Sequence, residues 1–167
     1  MSKARIIGGS LAAVIGLATP GVMLYEGVVL TTYADPVGIP TICYGHTGAD
    51  VVPGRVADLP ECQALLQGDL AKALDGVGQC IRVPMQPHQA AALVSFTYNV
   101  GAANLCASTL ARKANTGDWA GACKELDRWV YAKGIKLNGL VKRRAAERAM
   151  CEGRSSKASQ SMSVGSG

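Results

Sequence analysis

Glu26-Gly27-Val28-Val29-Leu30-Thr31-Thr32-Tyr33-Ala34-Asp35-Pro36-Val37-Gly38-Ile39-Pro40-Thr41-Ile42-Cys43-Tyr44-Gly45-His46-Thr47-Gly48 links an uncharged stretch on its N-terminal side to a markedly different segment on its C-terminal side. Over residues 28–52, Val, Ile, Thr and Tyr alternate with Gly and Pro. That composition predicts two or three short strands, with tight turns at Asp35-Pro36 and Gly48. The segment opens on Glu26, the first charge after residues 6–25, and carries Asp35 and Thr41 at spacings of eight and five intervening residues.

From Asp58 the period changes. Asp58 and Glu61 read as a capping box, and Cys62, Leu65, Leu66, Leu70, Ala73 and Leu74 recur at helical spacing, with Gly76 and Gly78 expected to end that helix. Pro87 begins a second helix that runs through Ala90, Leu93, Val94 and Tyr98 to Gly101. Further helices are predicted over about residues 108–115, closed by Gly117, over 118–131 with Asp118 as cap, and over 140–151. The Ser-rich stretch 153–167 is expected to be a disordered tail. The fold class is α+β: a small sheet followed by a mainly helical lobe.

The 167 residues allow one domain with short appendages and a core of ordinary size. A net charge of +5 favours anionic partners: nucleic acid, a membrane surface or an acidic polysaccharide. Lys133, Lys136, Lys142, Arg143, Arg144 and Arg148 make the C-terminal third basic, a pattern equally served by a solvated face. Six cysteines with no CxxC pair, beside only two histidines, argue against zinc. Their even number and wide spacing predict three disulfides and an oxidising compartment, with fifteen connectivities open.

Residues 6–25 carry no charge and follow Lys3 and Arg5. As a helix, twenty residues reach roughly 30 Å, the thickness of a bilayer core. Gly8, Gly9, Gly16 and Gly21, with Ala12, Ala13 and Ala18, keep the stretch only mildly apolar. It reads as a marginal span, able to insert but not bound to stay, whose flanking charges hold the N-terminus cytoplasmic and send the rest outward. Two other readings stay open: a secretory signal cleaved near Gly16-Leu17-Ala18, and a buried core helix. Thr19 as N-cap with Pro20 in the first turn would start a soluble helix through Glu26. The same residues would then be membrane span in one state and soluble helix in another.

Glu26 lies where an apolar helix would desolvate it, and desolvation raises a carboxyl pKa as a general acid requires. Asp35, in a polar turn, is expected to stay ionised. Two carboxyls in opposed environments suit glycoside hydrolysis, and the Thr41 hydroxyl is placed to hold a water against Asp35. The competing reading is a helix-terminal Glu, a turn Asp and a strand Thr without chemistry.

Glu26-x8-Asp35-x5-Thr41, followed by Ile-Cys-Tyr-Gly-His46-Thr-Gly48, resembles the phage-type lysozymes, and most of all the endolysins of lambdoid phages. The likeness continues through Glu61-Cys62-Gln-Ala-Leu-Leu, Ser95-Phe-Thr-Tyr-Asn-Val-Gly101, Gly121-Ala-Cys-Lys-Glu-Leu with Arg128-Trp129, Gly139-Leu140, and Arg143-Arg144 with Glu147. It covers about residues 22–152. The resemblance implies a lysozyme-like fold over residues 26–152 and a muramidase that cleaves the β-1,4 bond between N-acetylmuramic acid and N-acetylglucosamine. It makes Glu26 the general acid, has Asp35 and Thr41 activate the water, and associates the reaction with inversion. That outcome requires carboxyl groups roughly 6.5–9.5 Å apart.

The resemblance also implies a structural ion pair between His46 and Asp69, and saccharide contacts at Thr47, Tyr98, Asn99 and Thr109. Trp129 is expected in the core. Arg143 and Arg144 are expected either to meet peptidoglycan carboxylates or to pair with Glu147 and solvent. Lys133 stands where a glycine is usual in these endolysins, which puts its local turn in question. The expected disulfides are Cys43–Cys62, Cys80–Cys106 and Cys123–Cys151.

No metal or cofactor is expected, nor a nucleic-acid partner; the partners are glycan strands and, through residues 6–25, the inner membrane. Residues 1–25 resemble a signal-anchor-release segment, which implies a monomer tethered in the inner membrane of a Gram-negative host and then freed into the periplasm. The alternatives are a non-catalytic cell-wall binding protein on the same scaffold and a small membrane-permeabilising protein.

Overall fold

The computed structural model describes residues 3–154. Helix α1 (Leu11–Glu26) comes first, then strands β1 (Val29–Ala34), β2 (Pro40–Cys43) and β3 (His46–Thr47). The helical lobe follows: α2 (Leu59–Cys80), α3 (Pro87–Val100), α4 (Ala102–Ala107), α5 (Thr109–Asn115) and α6 (Trp119–Glu125). A 3₁₀ turn (Leu126–Arg128) and a hairpin of β4 (Tyr131–Ala132) and β5 (Ile135–Lys136) precede α7 (Asn138–Cys151).

The sheet is antiparallel in the order β1-β2-β3. Tyr33 pairs with Thr41, Thr41 with Thr47 and Ile42 with His46. Residues 55–57 run beside β1, where Ala57 N–H donates to Leu30 O and Thr32 N–H to Arg55 O. β2 turns into β3 through Cys43 (φ 61°) and Gly45 (φ 85°).

α3 is the central helix. Ala90 through Thr97 are all buried, as expected of a helix enclosed on every side, and α1, α2 and α7 pack around it. Pro87 occupies its first turn, where the missing N–H costs nothing, and Gln89 Oε1 accepts from Gln86 N–H. Phe96 meets Trp129 edge-on at 5.1 Å between ring centroids.

α1 begins nine residues before the expected start: its cap is not Thr19 but Ser10, whose Oγ accepts from Ala13 N–H at 3.1 Å. Thr19 is mid-helix, donating to Ile15 O and accepting from Gln67 Nε2. Pro20 is tolerated inside the helix. Val14, Ala18 and Val22, four apart on one face, are fully buried. Ahead of the helix, Ile7 N–H donates to Met85 O and Met85 N–H to Arg5 O, so residues 5–7 lie along the entry to α3. No helix among the described residues is long and apolar enough to cross a membrane; at sixteen residues, α1 is about 24 Å long.

Three other boundaries differ from expectation. α2 does not stop at Gly76 or Gly78 but continues to Cys80 with both glycines buried. A Cβ on Gly76 would stand 2.8 Å from Ala102 Cβ, so this glycine serves the contact with α4. The helix expected over 118–131 ends at Glu125, tightens into the 3₁₀ turn and gives way to the hairpin. Its turn holds Lys133 at φ 49° and Gly134 at φ 77°, the left-handed pair that a two-residue hairpin requires. Finally, Gly153 (φ 69°) and Arg154, whose N–H donates to Ala149 O, close α7; the rest of the expected tail, 155–167, lies outside the described residues.

Candidate active site

Glu26 is the last residue of α1, and Gly27 (φ 68°) turns the chain away behind it. The side chain reaches α7, where Arg143 Nη1 donates to Glu26 Oε1 at 2.6 Å. Tyr25 OH donates to Lys142 O at 3.2 Å, and the Arg143 guanidinium lies 5.8 Å from the Tyr25 ring centroid. The surroundings of Glu26 are therefore not the apolar pocket expected from the helix before it. A guanidinium holds one oxygen, and the side chain keeps 24% of its exposure.

Behind Arg143 lies a buried polar network. Arg143 Nε donates to Glu147 Oε1 and Nη2 to Ser95 O, while Ser95 Oγ donates to Glu147 Oε1 at 2.7 Å. Arg144 Nε stands 2.8 Å from Glu147 Oε2, and its Nη2 donates to Asn99 Oδ1 at 3.0 Å. Its guanidinium also lies 5.0 Å from the Phe96 ring centroid. Burial pushes the Glu147 carboxyl up and pulls the Arg144 guanidinium down from their usual ranges, against the attraction between them. Arg143 and Glu147 are each 3% exposed and Arg144 0%. Of the two expectations for these arginines, the structure has the pairing with Glu147, without the solvent exposure expected beside it: charges buried this deeply need one another.

Asp35 and Thr41 are set by one backbone unit. Asp35 Oδ1 accepts from Val37 N–H at 2.9 Å and Ile39 N–H at 2.8 Å. Ile39 O in turn accepts from Asp35 N–H at 3.0 Å and from Thr41 Oγ1 at 2.9 Å. The Asp-Pro turn thus folds on its own side chain, as short acidic side chains favour, and places the buried Thr41 hydroxyl beside it. Both turn bonds fall on Oδ1 of Asp35.

One cavity is lined by Glu26 and a second lies nearby. One, of about 340 Å³, is lined by Tyr25, Glu26, Asn99, Leu137, Gly139, Leu140 and Arg143. The other, of about 300 Å³, has Gly45, Thr47, Asp69, Lys72, Thr97 and Tyr98 in its walls. Gly45, in the wall of the second, lies close to Glu26 of the first: a Cβ there would stand 3.7 Å from Glu26 Oε2 and 3.9 Å from Tyr98 OH. Tyr98 OH donates to Tyr44 O at 2.5 Å. Burial, with Asp69 and Glu26 nearby, raises the Tyr98 phenol above its usual range, so it stays a neutral donor.

Of the candidate saccharide contacts, Thr47 and Tyr98 share the second cavity and Asn99 lines the first. Thr109 lines neither; it opens α5 and accepts from Arg112. His46 is buried, with Nδ1 2.6 Å from Asp69 Oδ2 and Nε2 3.3 Å from Asp50. It ties β3 to α2 and points its nitrogens at carboxylates. The disulfides are Cys43–Cys62, Cys80–Cys106 and Cys123–Cys151, the pairs the resemblance implies.

Sequence reading missed the contact of Arg143 with Glu26, the closeness of Gly45 to Glu26, the presence of Lys72 in a cavity wall, and the α7 residues Leu137, Gly139 and Leu140. For Arg143 the only local signal was its place in a basic cluster beside Glu147.

The phage lysozyme family model matches residues 23–147. The chain is 45% identical over 150 residues to a SAR-endolysin of Bacteriophage PS119, covering 89% of this chain and 90% of that one. It is 43% identical to a SAR-endolysin of Enterobacteria phage P21, covering 89% and 92%. The muramidase domain of SpmX from Asticaccaulis excentricus superposes with a TM-score of 0.75 at 29% identity, over 85% of this chain and 95% of that one. The chain belongs to the phage lysozyme family and is, by that membership, a muramidase-type glycoside hydrolase with peptidoglycan as substrate.

Proposed function

We propose that Glu26 protonates the glycosidic oxygen between N-acetylmuramic acid and N-acetylglucosamine while Asp35 and Thr41 hold the attacking water. The observation that carries this reading is the division of labour at Glu26. Arg143 occupies Oε1, which fixes the carboxyl and leaves Oε2 toward Gly45, in the wall of the second cavity. In the reaction the Oε2 proton passes to the leaving oxygen as the glycosidic bond breaks. Water attacks the anomeric carbon from the opposite face and gives its proton to Asp35, through the oxygen that the turn does not use. The product is inverted, and proton exchange with solvent resets both carboxyls. Clearing of outer-membrane-permeabilised Gram-negative cells tests the assignment: wild type clears the suspension and Glu26→Gln, nearly isosteric but without an acidic proton, does not. Equal clearing by both would sink the mechanism.

The second half of the proposal is control by tethering. Residues 6–25 insert in the host inner membrane with the N-terminus cytoplasmic, and loss of membrane potential or spontaneous escape frees them into the periplasm. Similarity to proteins named SAR-endolysins supports this. So does the position of Glu26 at the very end of α1, with only Gly27 and Val28 between it and β1. While residues 11–26 lie in a bilayer, Glu26 has no spare chain with which to reach Arg143 and the cleft. No cysteine lies in residues 1–25, so exchange of an anchor cysteine is unavailable and control acts through refolding. Release of the intact chain is favoured over cleavage after Ala18, because cleavage would discard the Ser10 cap, the buried Val14 and Ala18, and the pairing of residues 5–7 with Met85. The freed enzyme acts as a monomer on glycan strands and ends infection by host lysis.

A further inference from the structure

Lys72 is the one positively charged residue in the wall of the cavity shared by Gly45, Thr47, Thr97 and Tyr98. Its side chain is 74% exposed, and it pairs with Asp69 Oδ1 at 3.1 Å, one turn back on α2. Asp69 is already committed: its other oxygen lies 2.6 Å from His46 Nδ1, and its side chain is only 16% exposed. An ion pair at so exposed an ammonium is weak, so Lys72 is aimed at the cavity by Asp69 without being neutralised there. Apart from Asp69, the rest of this wall is uncharged, and through Gly45 it adjoins the free oxygen of Glu26.

We propose that Lys72 binds a free carboxylate of the peptidoglycan stem peptide, making it a specificity residue for glycan that carries peptides. The inference rests on the muramidase reading above. Stem peptides hang from the lactyl group of muramic acid and carry free carboxylates. A single mobile ammonium at the edge of the cleft suits such a group, since it can follow the peptide without demanding one geometry. Binding through Lys72 is made in the ground state and kept in the transition state, so it lowers KM and leaves kcat alone.

The test uses soluble, uncross-linked glycan strands in two forms: with native stem-peptide carboxylates, and with those carboxylates converted to amides. Wild type, Lys72→Ala and Lys72→Arg are compared on both, with thermal melting of each protein recorded. The expected result is that Lys72→Ala raises KM about five- to tenfold on native strands, the size of one partly exposed charge-assisted contact. The wild-type advantage falls toward one on amidated strands, and Lys72→Arg recovers most of it on native strands. The same factor on both substrates, or a loss confined to kcat, would overturn the inference, because a structural role does not distinguish carboxylate from amide. Failure of wild type to cleave either form would overturn the muramidase reading itself, and the inference with it.

Discussion

Arg143 serves three acceptors at once: Glu26, Glu147 and the Ser95 carbonyl. Removing it frees Glu26 to rotate away from the cleft and leaves Glu147 buried beside Arg144 alone. Breaking a buried ion pair on one side costs about 3–5 kcal/mol. Arg143→Ala is therefore expected to lower the melting temperature clearly and to reduce kcat further than the folded fraction explains. Arg143→Lys should restore part of the stability and little of kcat, since a point charge cannot span three acceptors. Calorimetry with single-substrate kinetics reads both effects; a variant with wild-type kcat would show that Glu26 needs no such anchor. At this scale the sequence suggests Glu26, Asp35 and Thr41 as the proposed set because their spacing and neighbours are local. The environment of Glu26 was not legible. The apolar run before it suggested desolvation, while its actual partner comes from 117 residues away, beyond any periodicity.

Gly16 and Gly21 lie inside α1, where each costs about 1 kcal/mol relative to Ala. A Cβ at either would meet no atom within 4 Å, so the packing of the folded helix does not require them. Under the tethering proposal their effect falls on the membrane-inserted state, which they make less apolar. Gly16→Leu, on the exposed side of the helix, is expected to leave the fold intact and to hold the protein in the inner membrane, delaying lysis. Release at the wild-type rate would show that apolarity does not set escape. Between α5 and α6, the Lys113 ammonium donates to Glu125 at 2.7 Å and holds that carboxyl below its usual value of 4.5. A depressed carboxyl stabilises the fold above the usual value, and that contribution is lost as pH falls through the folded one. Glu125→Gln should therefore melt below wild type at pH 7, with the gap closing as pH falls below the usual carboxylate range; a gap that persists unchanged in acid would contradict the pairing. Among the elements, helices with strong caps or a starting Pro, such as α2 and α3, could be read from sequence. The true start of α1 could not, because Thr19-Pro20 imitates a helix start while Ser10 supplies the cap. Nor could the end of α2, where Gly76 breaks no helix but makes room for Ala102.

Across the molecule, the disulfides join the sheet to α2, α2 to α4, and α6 to α7. Each such closure contributes about 3 kcal/mol if unstrained. The pairing became legible only through the family resemblance, since even cysteine counts leave many connectivities open. α1 is held differently. It packs against α2, α3 and α7, carries Glu26 at its end, and lacks a cysteine of its own. Residues 11–25 of the uncharged stretch and the proposed acid are thus one element, which under the tethering proposal completes the site only after leaving the bilayer. The α+β class was readable from the change of period at Asp58. The placement of α1 was not, because the same apolar residues satisfy a bilayer and a protein core. The decisive measurement is the specific muramidase activity of membrane-held and soluble protein, separated by fractionation before and after the membrane is depolarised. The expected result is inactive protein in the membrane fraction and an equal mass of active, full-length protein in the soluble fraction afterwards. Full activity in the membrane-held protein would contradict the dependence of the active site on α1.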